Sequence, residues 1–104
     1  MADIKTKVDV RPRIAPREDV VEPKDFNVIY INDEVTTQEF VIGSLTGVFN
    51  YARESAEALT LRVHEEGSAV VATLPYEMAE QKGIEVTVLA RNNGFPLQVK
   101  IESQ

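Results

Sequence analysis

The sequence predicts a single α+β domain with elements in the order βααβαβ, and three observations carry that reading. Val28, Ile29, Tyr30 and Ile31 form a β-branched and aromatic run of strand length. Val41, Leu45 and Val48 fall at i, i+4 and i+7, one apolar stripe of a helix. Leu97, Val99 and Ile101 alternate with Gln98, Lys100 and Glu102, the period of a strand with one wet face. At 104 residues and 43% hydrophobic composition, the chain has material for one small core and not for two.

Taken in order, residues 1–25 carry Pro12, Pro16 and Pro23, mixed charge and no aromatic residue, and are expected to be a flexible N-terminal arm. The first strand follows. After it, "TTQE" at Thr36–Glu39 has the form of a capping box: the Thr36 hydroxyl would accept from the Glu39 amide while the Glu39 side chain returns to the Thr36 amide. The first helix is therefore expected to start at Thr36. Gly43 and Gly47 weaken it. A break near Asn50 separates a second helix, in which Ala52, Ala56, Leu59 and Val63 keep helical spacing up to Gly67, a residue suited to a left-handed cap. "SAVVATL" lies between Gly67 and Pro75, too short for a buried helix, and reads as the second strand. A third helix opens at Pro75 with acids in its first turn, keeps Ala79, Gly83, Val86 and Ala90 in register, and stops at Asn93-Gly94. Val86, Thr87 and Val88 make its middle ambiguous.

Charge and composition narrow the function. A net charge of −6 argues against nucleic acid or an anionic membrane as partner and favours a cationic ligand. The absence of cysteine removes disulfides and thiolate metal sites, and a single histidine leaves no histidine-rich metal centre. No apolar run approaches the roughly 20 residues needed to span a bilayer, and the N-terminus lacks a signal-peptide core, so a soluble, cytoplasmic protein without cofactor is expected.

Asp33, Glu34, Glu39 and His64 could make an acid/base site, but no nucleophile motif, phosphate loop or metal-ligand spacing accompanies them. Loop carboxylates also commonly serve as helix caps. A better fit comes from pairing the junction with the second helix. Asn32, Asp33 and Glu34 cluster acceptors before a helix, and "LTLRVH" sets Leu59 and Val63 beside His64. An ammonium, with three N–H donors and no acceptor, needs converging acceptors when it leaves water, and Asn32 and a neutral His64 can supply them. A peptide's own α-amino group is one such cation. The alternatives are a plain α/β protein-interaction module and a small enzyme using Asp33 or Glu34 with His64.

"VIYINDEVTTQEFVIGSL", "LTLRVHEEGSA", "PYEMAEQK" and "GFPLQVKIE" resemble, in unbroken order over residues 26–104, the segments of the ClpS family, adaptors that deliver N-degron proteins to the Clp AAA+ protease. The resemblance implies a three-stranded antiparallel sheet packed against three helices. It implies a monomeric, non-enzymatic adaptor that engages N-degron proteins and the N-terminal domain of a ClpA- or ClpC-type ATPase. Asn32, Asp33 and His64 stand where the family binds the α-amino group. Thr36, Thr37, Gln38, Val41, Thr60, Val63 and Leu97 stand where it lines the side-chain pocket. Glu77 and Lys82 stand where it contacts the ATPase, and the arm where it passes cargo onward. Family members commonly carry Pro and Met at the places of Thr37 and Gln38, and Met at that of Thr60, so the wall is expected to be retuned by groups that seek hydrogen bonds.

Overall fold

The computed structural model describes residues 24–104. The expected arm therefore lies almost wholly outside the described residues. Six elements follow in the predicted order: β1 (Asp25–Ile31), α1 (Gln38–Val48), α2 (Arg53–Glu66), β2 (Ser68–Pro75), α3 (Tyr76–Asn92) and β3 (Gln98–Ser103).

β1 forms the middle of the sheet because it is the most apolar strand, and it pairs antiparallel with β2 on one side and β3 on the other. Its register with β2 slips by one residue between Val28 and Ile29, a bulge that leaves Val71 unopposed. Val28 and Tyr30 are wholly buried beneath the helices, whereas Ile29 and Ile31 on the other face are half-buried. Leu45, Ala56, Ala79, Val86 and Ala90 meet them from the three helices. Burial pushes the Tyr30 phenol well above its ordinary range, and its hydroxyl bonds that of Ser44 at 2.7 Å. The Ser44 hydroxyl donates to the Val41 carbonyl at 2.8 Å, so its single proton is committed and Tyr30 is the donor of the pair.

Several boundaries differ from the sequence reading, each for a local reason. The first helix is capped by Thr37, not Thr36: the Thr37 side chain accepts from the Phe40 amide at 3.1 Å. Thr36 is drawn back to Asp33, and Glu39 pairs with Arg53 at 3.0 Å, so no reciprocal box forms. In α2 the buried stripe is Ala56, Thr60 and Val63. Leu59 is half-buried, and Ala52 is an exposed residue preceding the helix. Thr60 can replace the leucine because its hydroxyl donates to the Ala56 carbonyl at 2.7 Å, which removes the cost of burying it. The Val86–Val88 stretch is helical, since Val86 completes the buried face of α3 with Ala79, Gly83 and Ala90. Asn50 at φ 62° breaks α1 from α2, and Gly67 at φ 89° ends α2 as expected.

Candidate functional site

The loop between β1 and α1 is built around Asp33. Its Oδ1 accepts the amides of Val35 at 2.8 Å and Thr36 at 2.6 Å, and its Oδ2 accepts the Thr36 hydroxyl at 2.8 Å. Burial pushes the Asp33 carboxyl up, but these three donors and the Arg91 guanidinium outweigh it and hold the group below the ordinary carboxylate range. Arg91 itself ties the end of α3 to the chain entering β3, donating to the Phe95 and Leu97 carbonyls at 3.0 and 2.9 Å. Sequence reasoning missed Arg91. The only signal for it was a basic residue in the last turn of a helix.

A second clamp joins this loop to α2. The Asn32 amide donates to the Gly67 carbonyl at 2.8 Å, and the Gly67 amide to the Val63 carbonyl at 3.0 Å. The left-handed cap of α2 is thereby fixed to the end of β1, which brings Asn32 and His64 to one cleft although they are 32 positions apart in the chain. Among the described residues, neither the Asn32 carboxamide nor the His64 imidazole makes a hydrogen bond.

That cleft has a volume of about 350 Å³, at the small end of ligand sites, which run from roughly 300 to 1,000 Å³. Asn32, Asp33, Glu34 and His64 form its mouth, Thr36 and Gln38 one side, and Val41, Thr60 and Val63 its wall. Two residues expected in the pocket do not line it. Thr37 is spent as the cap of α1, and Leu97 is a core residue, 1% exposed. Thr60 also lines the cleft, and the proton of its hydroxyl is already given to the Ala56 carbonyl at 2.7 Å. Glu77 and Lys82 lie away from the cleft on α3. Glu77 is exposed in the first turn, and Lys82 Nζ donates to the Val48 carbonyl at 2.9 Å, satisfying a free carbonyl at the end of α1. Among the described residues no cluster of His, Cys, Asp or Glu could hold a metal ion, and no helix is long and apolar enough to cross a membrane.

The arrangement offers acceptors and negative charge at the mouth with an apolar wall behind, and comparison with known proteins agrees in kind. The family model described as ATP-dependent Clp protease adaptor protein ClpS matches residues 21–100. The chain is 41% identical over 85 residues to the ATP-dependent Clp protease adapter protein ClpS of Treponema denticola, covering 82% of this chain and 84% of that one. With the same-named protein of Clostridium acetobutylicum it shares 38% over 96 residues, 92% of this chain and 93% of that one. The structure of Agrobacterium tumefaciens ClpS2 bound to L-phenylalaninamide superposes with a TM-score of 0.78 at 35% identity, covering 80% of this chain and 100% of that one. The relatives are named as adaptors of a protease. The chain belongs to the ClpS family of ATP-dependent Clp protease adaptor proteins and is not an enzyme.

Proposed function

We propose that this adaptor captures proteins by their free α-amino group and first side chain and hands them to a Clp AAA+ ATPase. The observation that carries the reading is the cleft: Asn32 and His64, unengaged among the described residues, converge at its mouth over a wall of Val41, Thr60 and Val63. An α-ammonium donates to the Asn32 carboxamide oxygen and to a neutral His64 nitrogen, which together replace water on two of its three N–H groups. Asp33 already receives three donors, so its part is to hold the loop and to place a negative charge beside the amine. The first side chain then leaves water against Val41, Val63 and Thr60. The relative from Agrobacterium tumefaciens supports this reading, because L-phenylalaninamide combines a free α-amine with an aromatic side chain.

The exposed Glu77 on α3 and its neighbour Lys82 are proposed to meet the N-terminal domain of a ClpA- or ClpC-type ATPase, with the adaptor acting as a monomer and the arm passing cargo onward. Lys82 retains donors beyond the one given to Val48, so docking and its structural bond are compatible. The test is degradation by a reconstituted Clp protease of two reporters that differ only in the first residue, phenylalanine or glutamate. Adaptor-dependent degradation of the phenylalanine reporter alone is expected. Equal degradation of both would overturn the proposal.

A further inference from the structure

The polar residues at the mouth, Asn32, Asp33 and Glu34, are bracketed in the chain by Ile31 and Val35, and Arg91 shares a hollow with each bracket. With Ile31, Gln98 and Lys100 it lines one hollow at the start of β3, and with Val35, Phe95 and Pro96 it lines another at the end of α3. It does not line the cleft. Both of its carbonyl bonds, to Phe95 at 3.0 Å and to Leu97 at 2.9 Å, are made by Nη1. Leu97 is a core residue, so this end of the guanidinium is anchored to backbone that the core fixes. Among the described residues, Nε and Nη2 make no hydrogen bond. The positive charge is permanent and spread over the whole planar group.

That charge has a use at Asp33. Burial pushes the Asp33 carboxyl up, and the amide and hydroxyl of Thr36, the amide of Val35 and the Arg91 guanidinium together outweigh it. No direct ion pair joins Arg91 to Asp33 among the described residues, so the attraction acts through space. Glu34 and His64 are the other titratable side chains at the mouth, and neither is a fixed cation. The three hydrogen bonds that shape the loop are charge-assisted only while Asp33 is ionised. A permanent cation at a site for an ammonium would by itself weaken binding, because like charges repel. The direct effect of Arg91 on a bound amine and its effect through Asp33 are therefore opposite in sign.

We infer that Arg91 is a positioning residue for amine capture: anchored by Nη1 to the chain entering β3, it holds the Asp33 carboxylate with its charge and so fixes the loop that presents Asn32, without touching the amine. On the amine-capture reading proposed above, on which this role rests, a residue outside the cleft sets the affinity of its mouth. Removal of the charge then weakens binding. A bystander cation would give the reverse.

Two variants of the full-length protein test the role. Arg91→Met keeps an apolar stem and removes the charge, and Arg91→Lys keeps the charge without the planar fork. Position 91 is exposed, so both are expected to fold. One readout needs no peptide: the Thr36 and Val35 amide resonances, followed by NMR as pH falls from about 7 through the carboxylate range, should begin to shift at a higher pH in Arg91→Met than in wild type. Arg91→Lys should follow wild type. The second readout is affinity at about pH 7 for a peptide beginning with phenylalanine, which Arg91→Met should lower by about fivefold and Arg91→Lys should leave within about twofold. Unchanged or tighter binding in Arg91→Met, an unmoved amide titration, or a lysine variant as weak as the methionine one would each overturn the inference. A wild type that binds free and N-terminally acetylated peptides alike would overturn amine capture itself and this role with it. Selectivity for the free amine, combined with full affinity in Arg91→Met, would overturn the role of Arg91 alone.

Discussion

At the mouth of the cleft, polar groups are held by polar groups: Asp33 fixes the loop through three hydrogen bonds, and Asn32 is tied through its amide to Gly67. At the wall, Val41, Thr60 and Val63 are held by being part of the core, 6, 3 and 3% exposed. The mouth can therefore be altered with little effect on folding, while the wall cannot change without the helices beneath it responding. On the proposed reading, binding of the amine and choice of the side chain fall to regions with different mechanical coupling to the fold, and substitutions can separate them.

The largest effect is expected where a pocket role was anticipated and the structure shows core. Leu97→Ala removes a fully buried side chain and should cost about 2 to 5 kcal/mol of stability. It should leave the ranking of peptides by first residue unchanged below the lowered melting temperature. A reordered ranking would return Leu97 to the wall. Next come the two acceptors at the mouth. Asn32→Ala and His64→Ala should each weaken binding of a peptide beginning with phenylalanine by about 1 to 3 kcal/mol, because the bound ammonium loses a partner. Thermal stability should move by no more than about 0.5 kcal/mol, since both side chains are exposed. Affinity within twofold of wild type in either variant would remove that residue from the site.

A smaller and more selective effect is expected at Thr60. Thr60→Val keeps the size of the side chain and removes a hydroxyl whose proton is already committed to Ala56, so the order of preference among peptides beginning with Leu, Phe, Tyr and Trp should not change. Thr60→Met extends into the cleft. Misfit of one methylene is worth about 1 to 3 kcal/mol, so the same series should reorder by about tenfold or more. If valine reorders it as strongly as methionine, the hydroxyl faces the ligand and the wall is polar.

The smallest effect concerns acid. Because the folded state holds the Asp33 carboxyl below its ordinary range, the loop's hydrogen bonds add stability that is fully present above the unfolded value near 3.9. That stability is lost as pH falls through the lower folded value. The Thr36 and Val35 amide resonances should hold steady from pH 7 to about pH 4 and shift only below it. Movement between pH 7 and pH 5 would show that another group holds the loop.

How far the sequence could be read differed between these regions for physical reasons. The order of elements followed from periodicity, because the buried stripes Val41–Leu45–Val48 and Ala79–Gly83–Val86–Ala90 are local patterns. The cap of α1 was misplaced by one residue because two threonines compete, and Asp33, whose pull on Thr36 decides between them, acts from outside the helix. Thr60 has no signal in the apolar stripe of α2, because its hydroxyl is polar and is satisfied only by its own helix. The nearness of Asn32 to His64 is legible from family resemblance. Periodicity cannot supply it, since it depends on one backbone bond to a glycine cap. Leu97 and Arg91 depend on the crossing of α3 and the chain entering β3, a contact with no signature in either segment alone.

The central claim is that the mouth of the cleft recognises a charged, free amine. Titrating the full-length protein with a peptide beginning with phenylalanine, and with the same peptide acetylated at its N-terminus, tests it most directly. Acetylation removes the charge and two of the three N–H donors while leaving the side chain intact, and the account predicts roughly a hundredfold loss of affinity, about 2.7 kcal/mol. Affinities of the two peptides within twofold of each other would contradict it.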